Sequence, residues 1–91
     1  MTRESAETVA IEALAFIAGD PERLERFMAL TGLGSESLRR AAREPGFLLG
    51  ILDHVMADDR LLVAFATQHE MTPERVVHAR ERLTGPSSAI L

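Results

Sequence analysis

The sequence predicts an all-α fold, a compact bundle of five to six short helices, and three observations carry that prediction. Apolar residues recur at helical spacing, and no segment alternates as a strand does. Helix-opening residues stand at Asp20-Pro21, Ser35 and Thr72-Pro73, where a capping side chain or a proline suits the first turn. Helix-closing glycines follow at Gly19, Gly32 and Gly85, residues that accept the left-handed backbone of a helix end.

The first helix is expected from about Arg3 to Ala18. Ala6, Val9, Ala10, Ala13, Leu14 and Ile17 share one face and Glu4, Thr8 and Glu12 the other, the arrangement of a surface helix with one buried stripe. Asp20 caps a second helix in which Leu24, Phe27, Met28 and Thr31 recur at i, i+3, i+4 and i+7. After the turn Gly32-Leu33-Gly34, Ser35 caps a short third helix. Leu38, Ala41 and Ala42 point inward there, and Arg39, Arg40 and Arg43 mostly outward.

Pro45 opens the fourth element. At 100° per residue, Phe47, Leu48, Leu49, Ile51, Leu52, Val55 and Met56 cover more than half of its circumference, so the helix belongs at the centre. Its narrow polar strip is Gly50, Asp53 and His54. Asp58 and Asp59 supply the cap and the first-turn charge of helix five, with Leu61, Leu62, Phe65 and Ala66 as its apolar face. Helix six turns Val76, Ala79 and Leu83 inward and is expected to stop at Gly85-Pro86, leaving 86–91 as a frayed tail behind a single domain over 1–85.

Shifting the chain by 38 residues lays Leu14 on Leu52, Asp20 on Asp58, Leu24 on Leu62, Phe27 on Phe65, Glu36 on Glu74 and Ala41 on Ala79. These identities fall on caps and inward positions, so the chain reads as two pseudo-repeated three-helix units, 9–42 and 47–80. Neither unit is large enough to cover its own apolar face, so the two are expected to share one core through helices one and four.

Composition narrows the chemistry. The 91 residues contain no Cys, Trp, Tyr, Lys or Asn, and all ten cations are Arg. No disulfide, thiolate nucleophile, Cys-bound zinc, Schiff base or phosphate-loop lysine is available. The net charge is -4, with acids in excess in both halves, a field that repels phosphate backbones overall. Glu4, Glu7 and Glu12 interrupt the first helix, against a secretory signal, and no apolar run spans a bilayer. The expected location is the cytoplasm, with no membrane association.

The histidines make a poor ligand set. His54 and His78 are expected to face solvent, while His69 falls on the apolar face of helix five near its C-terminus, a half-buried position favoured by the helix dipole. His54 and Asp58 lie at i, i+4, but two ligands do not make a metal site. Asp58-Asp59 and Ser35 with Ser37 are accounted for as helix starts, so no catalytic residue, cofactor or metal ligand is assigned and no enzyme is expected.

Arg39, Arg40 and Arg43 form the sharpest positive feature and are the candidate partner surface. They follow Gly32 and Leu33 at the spacing of a helix-turn-helix, and Arg75, Arg80 and Arg82 repeat the layout. With Glu36 four residues before Arg40 and Glu44 beside Arg43, the expected state is a solvated face with local ion pairs. Nucleic acid is disfavoured as a partner.

The ordered set Asp20-Pro21-Glu22-Arg23-Leu24, Phe27, Leu30-Thr31-Gly32-Leu33, Leu38-Arg39, Pro45-Gly46-Phe47-Leu48, Leu52-Asp53 and Asp58-Asp59 to Phe65 resembles the bacterial family called domain of unknown function 3572. The likeness runs from about Glu7 to Leu83. One departure is His69-Glu70-Met71, where a second turn like Gly32-Leu33 is expected. The resemblance implies a soluble helical protein and no mechanism. The function expected is a small non-catalytic protein-interaction or adaptor module, with a protein partner or self-association, because the apolar breadth of helix four calls for a partner wherever its neighbours leave it uncovered. The alternative is a nucleic-acid-binding, helix-turn-helix-like regulator.

Overall fold

The computed structural model describes residues 1–44 and 46–88. Six helices follow one another, α1 (Arg3–Ala18), α2 (Pro21–Thr31), α3 (Ser35–Ala41), α4 (Phe47–Met56), α5 (Asp59–Gln68) and α6 (Pro73–Ser88), with no strand among the described residues. The fold is an all-α bundle. No helix among these residues is long and apolar enough to cross a membrane.

Capping side chains set most of the starts. Thr2 Oγ1 accepts the Ser5 N–H at 3.0 Å, Asp20 accepts those of Glu22 and Arg23, Asp58 those of Arg60 and Leu61, and Thr72 Oγ1 that of Arg75 at 3.2 Å. Each bond satisfies an N–H that the helix leaves unpaired. α3 differs from expectation: its cap is Gly34, one residue before Ser35, and no side chain bonds there. Pro45, expected to open the fourth helix, lies outside the described residues, and α4 is capped by Gly46 without a side-chain bond.

α1 packs most extensively on α6 and next on α4, and α4 packs on α6 in turn. Small side chains on α1, Ala6, Ala10 and Ala13, are fully buried and let the neighbouring helices approach closely. Ile17, Ile51, Leu52, Val55, Phe65 and Val76 fill the space between them. Burying each of these side chains is worth about 1.5–3 kcal/mol. α2 lies on the outer side of α1, and α5 on the outer side of α4. The Cα radius of gyration is 12.9 Å, close to the roughly 12 Å of a well-packed chain of this length.

Helix four is covered by its neighbours. Ile51, Leu52 and Val55 are buried, and Phe47, Leu48, Leu49 and Met56 are half-buried, so the broad apolar face is spent inside the bundle. Phe16, absent from the expected inward set of α1, is 3% exposed. It lies at the flank of the stripe, where the Phe65 ring of α5 meets it at 5.5 Å between centroids.

Helix six runs through the expected stop at Gly85-Pro86 and continues to Ser88. The remainder of the expected tail, 89–91, lies outside the described residues.

Helix boundaries in the two halves correspond at the 38-residue offset. α1 and α4 end at Ala18 and Met56, α2 and α5 start at Pro21 and Asp59, and α3 and α6 start at Ser35 and Pro73. The third helices then diverge. α6 is 16 residues long and wedged against both α1 and α4, while α3 has 7 residues and reaches the core chiefly through Leu38.

Candidate partner-binding surfaces

The arginine face lies where the sequence places it. Arg39 and Arg40 occupy the last turn of α3, where a cation complements the helix dipole, and the Arg43 N–H closes the following turn on the Arg40 carbonyl at 3.1 Å. All three side chains are exposed. The local ion pairs expected with Glu36 and Glu44 do not form, and among the described residues none of the three arginines has an ionic partner. An exposed pair gains little Coulomb energy in water and must hold two long side chains still. The second triple behaves differently, since Arg80 on α6 is joined to Asp53 on α4 by a hydrogen-bonded ion pair.

A second feature was not anticipated. α2 and α5 stand on different partners, α1 and α4, and an open cleft of about 550 Å³ separates them. Leu61, Ala64 and Ala29 give it apolar surface, and its charged lining is Glu22, Arg23, Glu25 and Arg26 from α2 with Asp58 and Arg60 from the start of α5, three positive charges and three negative. Arg26 reaches Asp58 at 4.0 Å with both side chains substantially exposed, a loose pair of small energetic weight. Leu30, at the end of α2, lies with Ala57, Asp58 and Asp59 around an adjoining recess of about 310 Å³, so α2 and α5 run antiparallel. Arg23 lies against the Phe16 ring, its guanidinium carbon 4.0 Å from the ring centre, a cation–π contact that fixes the cleft wall onto the core.

His54 opens into the same recess. It is half-buried rather than solvent-facing, because Phe27 of α2 meets its ring edge-on at 4.9 Å and 86°. Burial lowers its pKa from the usual histidine value, the Arg26 guanidinium lowers it further, and Asp58 opposes both. His69 caps the C-terminus of α5 and is half-buried as expected. It packs on Phe65 at 4.9 Å and Phe16 at 6.1 Å, with Nδ1 4.0 Å from Glu12 Oε2. His78 is exposed. Among the described residues no group of three or more His, Cys, Asp or Glu side chains is placed to hold a metal ion.

Apolar exposure is scattered: Ile11 on α1, Leu30 on α2 and Val63 on α5 are 55%, 67% and 54% exposed. Leu30 is at the adjoining recess, and Val63 adjoins the Arg60 and Ala64 turn of α5. The cleft was hidden from sequence because it depends on how far apart two outer helices stand. The one local signal was the paired Asp20 and Asp58 caps, which mark α2 and α5 as corresponding elements.

The sequence model of a family described as protein of unknown function (DUF3572) matches residues 3–86. No curated protein and no solved structure matches the chain.

Proposed function

The chain belongs to the DUF3572 family, and from that premise we propose that it is a small non-catalytic protein-interaction module whose docking surface is the α2/α5 cleft. The observation that carries this reading is the cleft itself, open, apolar in its small residues and balanced in charge. Two antiparallel helices held apart form the groove into which a third helix packs. The apolar face of α4, an attractive reason for a partner from sequence alone, supplies none, because the bundle covers it.

A photo-crosslinking residue at Ala64, inside the cleft, tests the reading in the cells that make the protein, with the same residue at exposed Glu81 on α6 as the control. Adducts specific to position 64 are expected. No adduct, or the same adducts from both positions, refutes the reading.

The chain also reads as an internal duplication and as cytoplasmic. The duplication is supported by the matching helix boundaries and Asp caps, and the location by a domain without cysteine that needs no oxidising compartment.

A second reading rests on Arg39, Arg40 and Arg43, which are exposed and lack ionic partners among the described residues. Such a face suits phosphates, and the regulator of nucleic acid remains its concrete form. Three arginines neutralise about three phosphates, against ~6–10 in tight duplex binders. Titration of duplex DNA at low salt decides it: binding weakened by Arg39→Ala supports this reading, and no binding ends it.

A further inference from the structure

We infer that His69 is a pH-operated latch between α1 and α5: neutral, its ring fastens the end of α5 to the bundle, and protonated, it turns outward and loosens the turn that follows. The ring packs on Phe65 of its own helix at 4.9 Å between centroids, and on Phe16 of α1 at 6.1 Å and edge-on. Its two nitrogens have opposite surroundings. Nδ1 faces Glu12 Oε2 at 4.0 Å, while Nε2 is buried and has no hydrogen-bond partner. The neutral ring therefore carries its proton on Nδ1, toward the carboxylate, and leaves Nε2 bare.

Protonation adds its N–H on the side that has nowhere to send it. A donor at Nε2 is buried without an acceptor, the expensive way to leave a hydrogen bond unmade. The new charge also meets Arg23 of α2, whose guanidinium already lies on the Phe16 ring, so two cations share one aromatic neighbour. Two attractions oppose this. Glu12 draws the cation, but its side chain is 43% exposed and such pairs are weak in water. The C-terminus of α5 draws it as well, and does so equally once the ring has turned outward. Glu70, next in the chain, is exposed, and among the described residues no side chain of α4 or α6 forms an ion pair with His69. The turn beside the ring is ready to give. Glu70 holds a φ of 54°, a strained value for a residue with a side chain, and the Met71 N–H closes the turn on the Ala66 carbonyl at 2.9 Å.

Nuclear magnetic resonance of the full chain tests the latch, in the His54→Gln background so that the other half-buried histidine is silent. Ring nitrogen shifts at about pH 7.5 are expected to place the neutral proton on Nδ1, with cross-peaks from the His69 ring to the Phe65 and Phe16 rings. At about pH 5 those cross-peaks are expected to vanish. Exchange protection of the Met71 amide, corrected for the intrinsic effect of pH, is expected to fall about tenfold or more relative to that of Ile17 in α1. Adding His69→Phe keeps an aromatic ring without a titrating group, and the Met71 to Ile17 ratio is then expected to stay flat with pH. A neutral proton found on Nε2, or ring cross-peaks that persist at the lower pH, overturns the proposal. So does an equal loss of Met71 protection in the His69→Phe chain. The two ring measurements decide the matter on the unmodified His69 even where His69→Phe does not fold.

Discussion

Gly32 and Glu70 stand 38 residues apart and both hold the backbone left-handed, with φ of 76° and 54°. Each ends the second helix of its half. The Gly32 N–H bonds the Met28 carbonyl at 2.9 Å, while after α5 the bond passes to Met71, whose N–H reaches the Ala66 carbonyl at 2.9 Å. The chain thus makes the same reversal twice, once with the residue suited to it and once with a glutamate that pays a steric penalty. Glu70→Gly is expected to stabilise the protein by about 1 kcal/mol. Gly32→Ala is expected to destabilise it by about 1 kcal/mol, from backbone strain alone, since no atom lies within 4 Å of an added Cβ. Urea denaturation of both variants reads the two signs, and a destabilising Glu70→Gly refutes the account.

The caps that open α2 and α5 form a second matched pair. Asp20 Oδ1 accepts the Glu22 and Arg23 N–H groups at 2.9 and 3.3 Å, and Asp58 Oδ1 accepts those of Arg60 and Leu61 at 3.0 and 3.4 Å. Asp20→Ala and Asp58→Ala should each lower stability by about 1 kcal/mol. Asparagine keeps the acceptor and should recover most of the loss. Equal losses for alanine and asparagine would mean that charge at the helix start, and not the hydrogen bonds, is what matters.

His54 gives stability a pH dependence of defined sign. Its folded pKa lies below the ordinary value of 6.5 because it is partly buried beside Arg26, with Asp58 opposing. The unfolded chain therefore binds the proton more readily, and stability rises with pH between the two values. The His54 contribution is complete above the unfolded pKa and is lost as pH falls through the folded one. The charged groups that line its recess are Arg26, Asp58 and Asp59. Melting temperatures from pH 7.5 down to 5 should fall more steeply for the wild type than for His54→Gln, and parallel curves would remove His54 as the cause.

What the sequence made legible follows a physical division. Helix starts were readable because Asp20, Asp58 and Thr72 act on N–H groups two or three residues away, within a single turn. The inward stripes of α4, α5 and α6 were readable because Ile51, Leu52, Phe65, Val76 and Ala79 repeat at the period of the helix. Phe16 was left unassigned and His54 was placed facing solvent, and each is instead buried by a ring from another helix, Phe65 and Phe27 respectively. Among the candidate surfaces, the exposure of Arg39, Arg40 and Arg43 was a property of one short helix, while the cleft is a property of the distance between two. The expected Glu36 and Glu44 pairs failed for a third reason, since proximity along the chain does not overcome hydration and side-chain entropy at an exposed site.

Phe65 is where the outer helix α5 is tied to the bundle, and its removal provides the strongest test of the core. Its ring is fully buried, 5.5 Å from Phe16 and 4.9 Å from His69 between centroids. Phe16 in turn holds Arg23 of α2 against its face, so the aromatic cluster links α1, α2 and α5. Phe65→Ala is expected to cost about 3–5 kcal/mol, the transfer energy of the ring plus the cavity it leaves. A domain of 91 residues has roughly 5–14 kcal/mol in total, so this variant should lose a large share of its stability. Phe65→Leu keeps most of the volume and should remain folded, with a loss of about 1–2 kcal/mol. Urea titrations followed by circular dichroism measure both, and a Phe65→Ala loss below about 1 kcal/mol would show that α5 is not anchored through this ring.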